Sequence, residues 1–339
     1  MNSKRWLLLS DGARPTEDIY FLESVAPFLR SEGHDVGRLD VRGWRWRLAR
    51  WVLSRQPGAN LVLCRTLPER VLHWLERRRE LFGRIVYLID DDIPAVAEDE
   101  DLPATYRRRM ARIAAIQPRL LTLVDVVVAS SEGLASRFEG RHVDVRVLTP
   151  PLISPLPDLS HFDAPHWWVG FHGTRAHLED VRHIAPALRR FHEASPQVSL
   201  EVMLGRHTPD ELQELERLEM PDAMSWKAFQ GYRQRRRMHI GLAPLLDSTF
   251  NRGKSWIKFL DIAAMGGVGI YSRRYPYTAI VEDGVNGLLA DDDPDDWLRC
   301  LRLLLERPED TARMAAAAAE TAREIGNPER AVAFWQSLA

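Results

Sequence analysis

Short, mostly apolar runs recur along this chain, and each is followed by a stretch with helical periodicity. In the first half the runs are residues 6–9 (WLLL), 34–39, 60–64 (NLVLC), 84–89 (RIVYLI), 126–129 (VVVA) and 143–148. In the second half they are 167–171 (WWVGF), 198–203, 240–244 (IGLAP), the run closing at Ser272, 287–289, and a less apolar one near 224–227. Strands that are apolar on both faces and alternate with helices require a parallel sheet covered on both sides. Residues 149–165 carry five prolines (TPPLISPLPDLSHFDAP), which remove donors and resist regular structure. The chain of 339 residues therefore divides into 1–155, 156–325 and a final helix in 326–339.

Composition excludes several classes. The 46 basic and 48 acidic residues give a net charge of -2, which argues against a global polyanion binder and leaves nucleic acid without support. Two cysteines, Cys64 and Cys300, lie far apart in apolar segments, so neither a disulfide framework nor a zinc site is implied, and a reducing, cytoplasmic setting fits. The apolar start MNSKRWLLLSDG is too short for a signal peptide. No apolar run approaches the ~18 residues of a membrane span. The chain lacks a GxSxG elbow, a GxGxxG after the first strand and HExxH spacing, which argues against a serine hydrolase, a dinucleotide oxidoreductase and a zincin.

The stretch 251–272 (NRGKSWIKFLDIAAMGGVGIYS) reads as a loop, a helix, a Gly-Gly stop and a strand. With the helix counted from Lys254, Lys258 and Asp261 follow at i+4 and i+7 and share a stripe among apolar neighbours. Buried charge needs a partner. Either Asp261 pairs with Lys258 while Lys254 frays into solvent, or an anionic ligand sits at the helix start. Ligands of open α/β sheets lie beyond the carboxyl ends of strands. The loops beginning at His172-Gly173-Thr174-Arg175, Gly205-Arg206, Leu245 (LLDSTFN) and Ser272-Arg273-Arg274 therefore converge on one expected site, each with a plain turn as its alternative. The run 233–237 (RQRRR) reads as a solvated helix face.

Three phrases carry a resemblance: VGFHGTRAHLEDV, IGLAPLLDSTFNRGKSWIKFLDIAAMGGVGIYS and VEDGVNGLLADDDPDDW. Together they make residues 168–304 resemble the C-terminal domain of GT-B glycosyltransferases of the "group 1" class, which use nucleotide-sugar donors in bacterial polysaccharide synthesis. The first half is similar only in its βα rhythm and in a strand followed by Asp90-Asp91-Asp92. The resemblance implies two Rossmann-like domains facing a cleft, with the acceptor on the first and the donor on the second, and the final helix in 326–339 packing back on the first domain. It places Lys254, Ser255 and Lys258 at the donor diphosphate, Asp261 at the ribose, and Gly173 and Thr174 near the phosphates, with Arg206 and Asn251 joining the donor side. It also implies retention of configuration and no metal or other cofactor. Many members pair two glutamates eight positions apart, where this chain has Gly253 and Asp261.

Two features stand outside that core. Asp90-Asp91-Asp92 reads either as an acidic loop that caps the next segment or as a functional cluster, with Asp91 and Asp92 the catalytic candidates toward an acceptor. The run from Arg42 to Arg55 (RGWRWRLARWVLSR) holds five arginines and three tryptophans, with Trp44, Leu48 and Trp51 on one helical face. It reads either as a sheet-covering helix or as a peripheral contact with the inner face of a membrane. The expected function is transfer of a sugar from a nucleotide-sugar to a saccharide or lipid-linked saccharide acceptor. Its alternatives are an inactive scaffold of the same fold and another sugar-nucleotide enzyme such as an epimerase or hydrolase.

Overall fold

The computed structural model describes residues 4–100 and 102–338. Readings that fall on the first three residues, on Asp101 in the acidic stretch 94–103, and on Ala339 lie outside the described residues. The chain forms two compact units. One comprises Met1–Ile153, Arg252–Ser255 and Asn327–Ala339, and the other Ser154–Asn251 and Trp256–Gly326.

Among the described residues, each unit is built on one six-stranded parallel sheet. In the first unit β1 (Arg5–Ser10), β2 (Asp35–Asp40), β3 (Asn60–Cys64), β4 (Ile85–Ile89), β5 (Val126–Ala129) and β6 (Val145–Val147) take the order β2-β1-β3-β4-β5-β6. In the second unit β7 (Trp167–His172), β8 (Val198–Met203), β9 (Leu218–Glu219), β10 (Ile240–Ala243), β11 (Val268–Ser272) and β12 (Leu288–Ala290) take the order β12-β11-β10-β7-β8-β9. Strands β3, β4, β5, β10 and β11 are buried along their whole length, as their largely apolar sequences require. The strand order of the second sheet reverses between β7 and β10, so its switch point lies at the carboxyl ends of those two strands.

Several local expectations are corrected. The helix expected from Lys254 begins at Ile257 and runs to Ala264, so Lys254 precedes it and shares no stripe with Lys258 and Asp261. Gly266, at φ 81°, ends this helix in the left-handed region that favours glycine. The strand near 224–227 is absent: the sheet edge is the two-residue β9 at Leu218–Glu219, and Ser225 instead caps the helix Trp226–Arg235. After β1 the helical stretch comes in pieces, Arg14–Glu17, a π-helical turn Asp18–Leu22 and Ala26–Ser31, and Phe28 is left exposed. The stretch after Asp92 is not all loop, because a helix spans Ile93–Glu98. Arg233, expected in a solvated run, is only 3% exposed. In the helix Arg45–Leu53, Trp46 faces inward while Trp44, Leu48 and Trp51 are exposed. Among the described residues no helix is long and apolar enough to cross a membrane.

The helix Pro328–Ser337 completes the core of the first unit. Trp335 is fully buried, with ring centroids 5.7 Å from Trp6 and 4.6 Å from Phe21. Its indole N–H donates to the Tyr20 carbonyl at 2.9 Å, which satisfies the one polar atom it takes inside. Trp335→Ala is expected to cost about 3–5 kcal/mol in urea unfolding, the range for emptying a large aromatic site. Trp335→Phe should recover most of the packing.

His239, just before β10, sets an acid limit for the second unit. It stacks on Trp167 at 4.8 Å, its Nδ1 accepts the Trp168 N–H at 3.0 Å, and its Nε2–H donates to the His161 carbonyl at 2.9 Å. Burial pushes its pKa from 6.5 down to about 4, against the pull of the His161 carbonyl. A protonated ring would lose the bond from Trp168. Because the folded value lies below the unfolded one, the unfolded chain binds the extra proton first. This contribution to stability is therefore complete above pH 6.5 and lost as pH falls toward 4. The stability slope in that window should decrease by at most about 1.4 kcal/mol per pH unit in His239→Asn, as read from denaturation at stepped pH.

Candidate functional site

In the second unit the switch point is framed by the loop after β7, the loop after β10 and the helix Ile257–Ala264. β7 delivers His172, and the chain then turns through Gly173 and Thr174. A Cβ at Gly173 would meet the Phe171 ring at 2.4 Å, so glycine is required for this close fold-over. Thr174 is exposed and opens a 3-10 turn over Arg175–His177. Lys258, one residue into its helix, donates from Nζ to the His172 carbonyl, and its ammonium lies 5.7 Å from the Phe171 ring centroid. Gly173, Thr174 and Lys258 are thus brought to one edge.

Asp180 fixes the loop after β10 to the same edge. It sits in the first turn of the helix Leu178–Ala194 and is 3% exposed. One carboxylate oxygen accepts from the Leu246 N–H at 2.8 Å and from the Asn251 side-chain amide at 3.2 Å, while the other meets His177 Nδ1 at 2.8 Å. The same Asn251 amide reaches the Leu246 carbonyl at 2.9 Å, and Ser272 Oγ accepts from the Leu245 N–H at 2.8 Å. Asn251 therefore holds its own loop in shape, a task its position in the sequence did not indicate.

Behind the edge lies a network that the sequence reading missed. Glu201, on β8, is buried and meets His172 Nε2 with one oxygen, and it accepts from the Tyr232 hydroxyl at 2.6 Å and from Arg236 at 2.5 Å with the other. Burial pushes the Glu201 carboxyl up, but the bonds from His172 and Tyr232 and the charge of Arg236 outweigh it and hold the group below its ordinary value. The signal for it was present: a lone acid between Leu200 and Val202 in an otherwise apolar strand.

Asp261 pairs with Arg233, which settles its internal partner as neither Lys258 nor Lys254. Arg233 lies beside the Trp226 and Phe229 rings, 5.8 and 5.7 Å from their centroids, and also donates to Ser154 Oγ at 2.5 Å. Arg206 is exposed beside a surface hollow that Leu178, Arg182, His207 and Asp210 help to line. Loss of hydration lowers the pKa of the adjacent His207, and the charges of Arg175 and Arg206 lower it further. The cations of the fourth loop are engaged locally: Arg273 pairs with Asp283 and Asp291, and Arg274 with Asp292.

In the first unit, Asp90-Asp91-Asp92 divides into three environments. Arg65 bridges the first two, 3.3 Å from Asp90 and 2.8 Å from Asp91. Thr16 donates to Asp90 at 2.6 Å, and Lys254 reaches Asp91 at 2.7 Å. Burial pushes the Asp90 carboxyl above its ordinary range against the pull of Arg65, and Asp91 adds to the rise. Arg65 itself stands at φ 60°, an uncommon place for a residue with a Cβ, and its backbone is held there by the Leu88 carbonyl and the Tyr87 hydroxyl. Asp92 is 3% exposed: it caps the helix Ile93–Glu98 by accepting the Ala95 N–H at 3.1 Å and takes Arg137 at 2.8 Å. Ser255 Oγ lies 3.5 Å from the Tyr20 hydroxyl, and Ser131 Oγ donates to the Gly253 carbonyl at 2.8 Å. Lys254 and Ser255 thus belong to the first unit, while the other donor-side candidates belong to the second. Among the described residues no group of three or more His, Cys, Asp or Glu is arranged to hold a metal ion.

No protein-family model matches this sequence, and no curated protein does. Solved structures do match in fold. Anabaena HepE in complex with UDP and glucose aligns over 99% of this chain and 100% of its own, at 14% identity and a TM-score of 0.63. Sucrose-phosphate synthase from Thermosynechococcus elongatus aligns over 99% and 98%, at 12% identity and a TM-score of 0.72. A glycosyltransferase from Rickettsia africae aligns over 100% and 98%, at 9% identity and a TM-score of 0.65. At these identities the likeness establishes the fold: the chain has the GT-B architecture.

Asp180→Ala would leave two backbone or amide donors and His177 without their acceptor. A loss of about 3 kcal/mol in denaturant unfolding is expected, together with faster amide exchange across residues 245–251.

Proposed function

We propose that this chain transfers a sugar from a nucleotide-sugar donor to a saccharide or lipid-linked saccharide acceptor, with retention at the anomeric carbon, in the assembly of a surface polysaccharide. The observation that supports this best is the likeness along the whole chain to a structure holding UDP and glucose. The position of Gly173, Thr174, Asn251 and Lys258 at the switch point of the second sheet agrees with it.

In this reading the nucleotide diphosphate is the leaving group, and its growing negative charge must be answered as the glycosidic bond breaks. Lys258 supplies a cation, and the amide groups opening the helix at Ile257 supply oriented dipoles. Lys254 and Ser255 carry a proposal of the same kind, with Lys254 leaving Asp91 for phosphate. Asp261 would turn one carboxylate oxygen to the ribose while the other stays with Arg233. Arg206 is assigned to the donor side. On the acceptor side Asp91 orients the attacking hydroxyl, and Asp92, by capping Ile93–Glu98, holds that turn in place.

Calorimetry with UDP tests the donor assignment. Lys258→Ala is expected to weaken binding about 10- to 100-fold, the worth of one charge-assisted bond. Unchanged affinity would remove Lys258 from the phosphate site. One observation favours a second reading, an inactive scaffold of the same fold: Asp261 is already taken by Arg233. A nucleotide at roughly 100 times its Kd should raise stability by about 2.7 kcal/mol. A screen in which no nucleotide or nucleotide-sugar shifts the melting temperature would favour the scaffold.

A further inference from the structure

The helix Arg45–Leu53 has two unlike faces. Trp46, Ala49 and Leu53 are buried, and Trp46 meets Trp74 edge-on at 5.5 Å. On the opposite face Trp44, Leu48 and Trp51 are 74%, 60% and 54% exposed. With Arg47 they line one open apolar hollow. The other large apolar side chains exposed among the described residues, Phe28, Val143, Met220 and Val285, are scattered along the sequence. Single exposed apolar residues are ordinary, whereas three on adjoining turns form a patch that calls for an occupant.

The charge around the patch says which occupant. No aspartate or glutamate occurs from residue 41 to residue 68, a stretch with six arginines. Arg42 and Arg45 share the single carboxylate of Asp40. Arg47 and Arg50 are exposed and have no carboxylate partner among the described residues. Arg55 stacks on the Trp51 ring at 4.1 Å, so its charge stays at the edge of the patch. Tryptophan combines an apolar body with a polar N–H and is at home where hydrocarbon meets water, and arginine stems cover apolar surface while their heads reach phosphate. We infer that this face docks on a bilayer surface rich in anionic phospholipid, with Trp44, Leu48 and Trp51 entering the headgroup boundary and Arg47, Arg50 and Arg55 on lipid phosphates. The inference is independent of the donor assignment.

Co-sedimentation of the full chain with phosphatidylcholine vesicles, with and without phosphatidylglycerol, tests it. The wild type is expected to pellet with the anionic vesicles, to do so far less with the neutral ones, and to be released by high salt. Trp44→Ser/Leu48→Ser/Trp51→Ser should reduce the bound fraction at least about tenfold with unchanged circular dichroism, since all three side chains lie outside the core. Arg47→Glu/Arg50→Glu leaves the apolar face intact and should remove the preference for anionic vesicles, by about fivefold per lost positive charge at low ionic strength. Equal binding by the wild type and the triple variant would overturn the inference, as would a wild type that never pellets. A concentration-dependent dimer that the triple variant abolishes, without vesicle binding, would overturn it in favour of a second copy of the chain.

Discussion

A carboxylate inside an apolar α/β scaffold must be met by a cation or by several hydrogen-bond donors, and the second unit is organised by three such meetings. Asp180 gathers backbone and side-chain donors from the loop after β10, Glu201 is held by His172, Tyr232 and Arg236, and Asp261 is held by Arg233. Taking an ion out of water costs several kcal/mol, so a buried acid with a missing partner would destabilise the unit far more than a surface one. Each acid therefore ties its helix or strand to its neighbours. The apolar strands supply the platform, and these three acids decide the shape of its carboxyl edge, where Gly173, Thr174 and Lys258 stand.

The first unit uses the same rule on a single tripeptide. Asp90, Asp91 and Asp92 are adjacent in sequence, yet they share no common environment. Arg65 stands between the first two, and Asp92 turns away to cap a helix and meet Arg137. Repulsion between Asp90 and Asp91 is answered by a counter-ion they share, Arg65, with Lys254 also on Asp91, while Asp92 is sent to a partner of its own. This is why a run that reads as one acidic cluster yields a structural cap beside an ion-paired carboxylate.

The parallel sheets were legible because apolar runs of strand length between helical patterns admit few other folds. The charged side chains were much less so. Lys254 fits helical spacing with Lys258 and Asp261, but spacing cannot register that the helix waits until Ile257 or that Asp91, 163 positions away, takes the ammonium. Arg233 belongs to a run of like charges that looks solvated, and only the fold brings Asp261 and Ser154 to it. Periodicity did place Trp44, Leu48 and Trp51 together, but it could not say whether that face or the one bearing Trp46 was the buried one. Glu201 is the opposite case: its strand announced it, because an acid in an apolar strand demands a partner.

The chain enters the first unit at its beginning and returns to it in the helix Pro328–Ser337, where Trp335 joins Trp6 and Phe21. During synthesis the unit whose sheet is made first thus has its core completed last. At roughly 5–20 residues per second, its core waits on the order of tens of seconds for that tryptophan. Until then the apolar surface around Trp6 and Phe21 has to be tolerated in the nascent chain. The second unit, Ser154–Asn251 and Trp256–Gly326, has already been synthesised in full by that point. The order of translation is the reverse of the order in which the two cores can close.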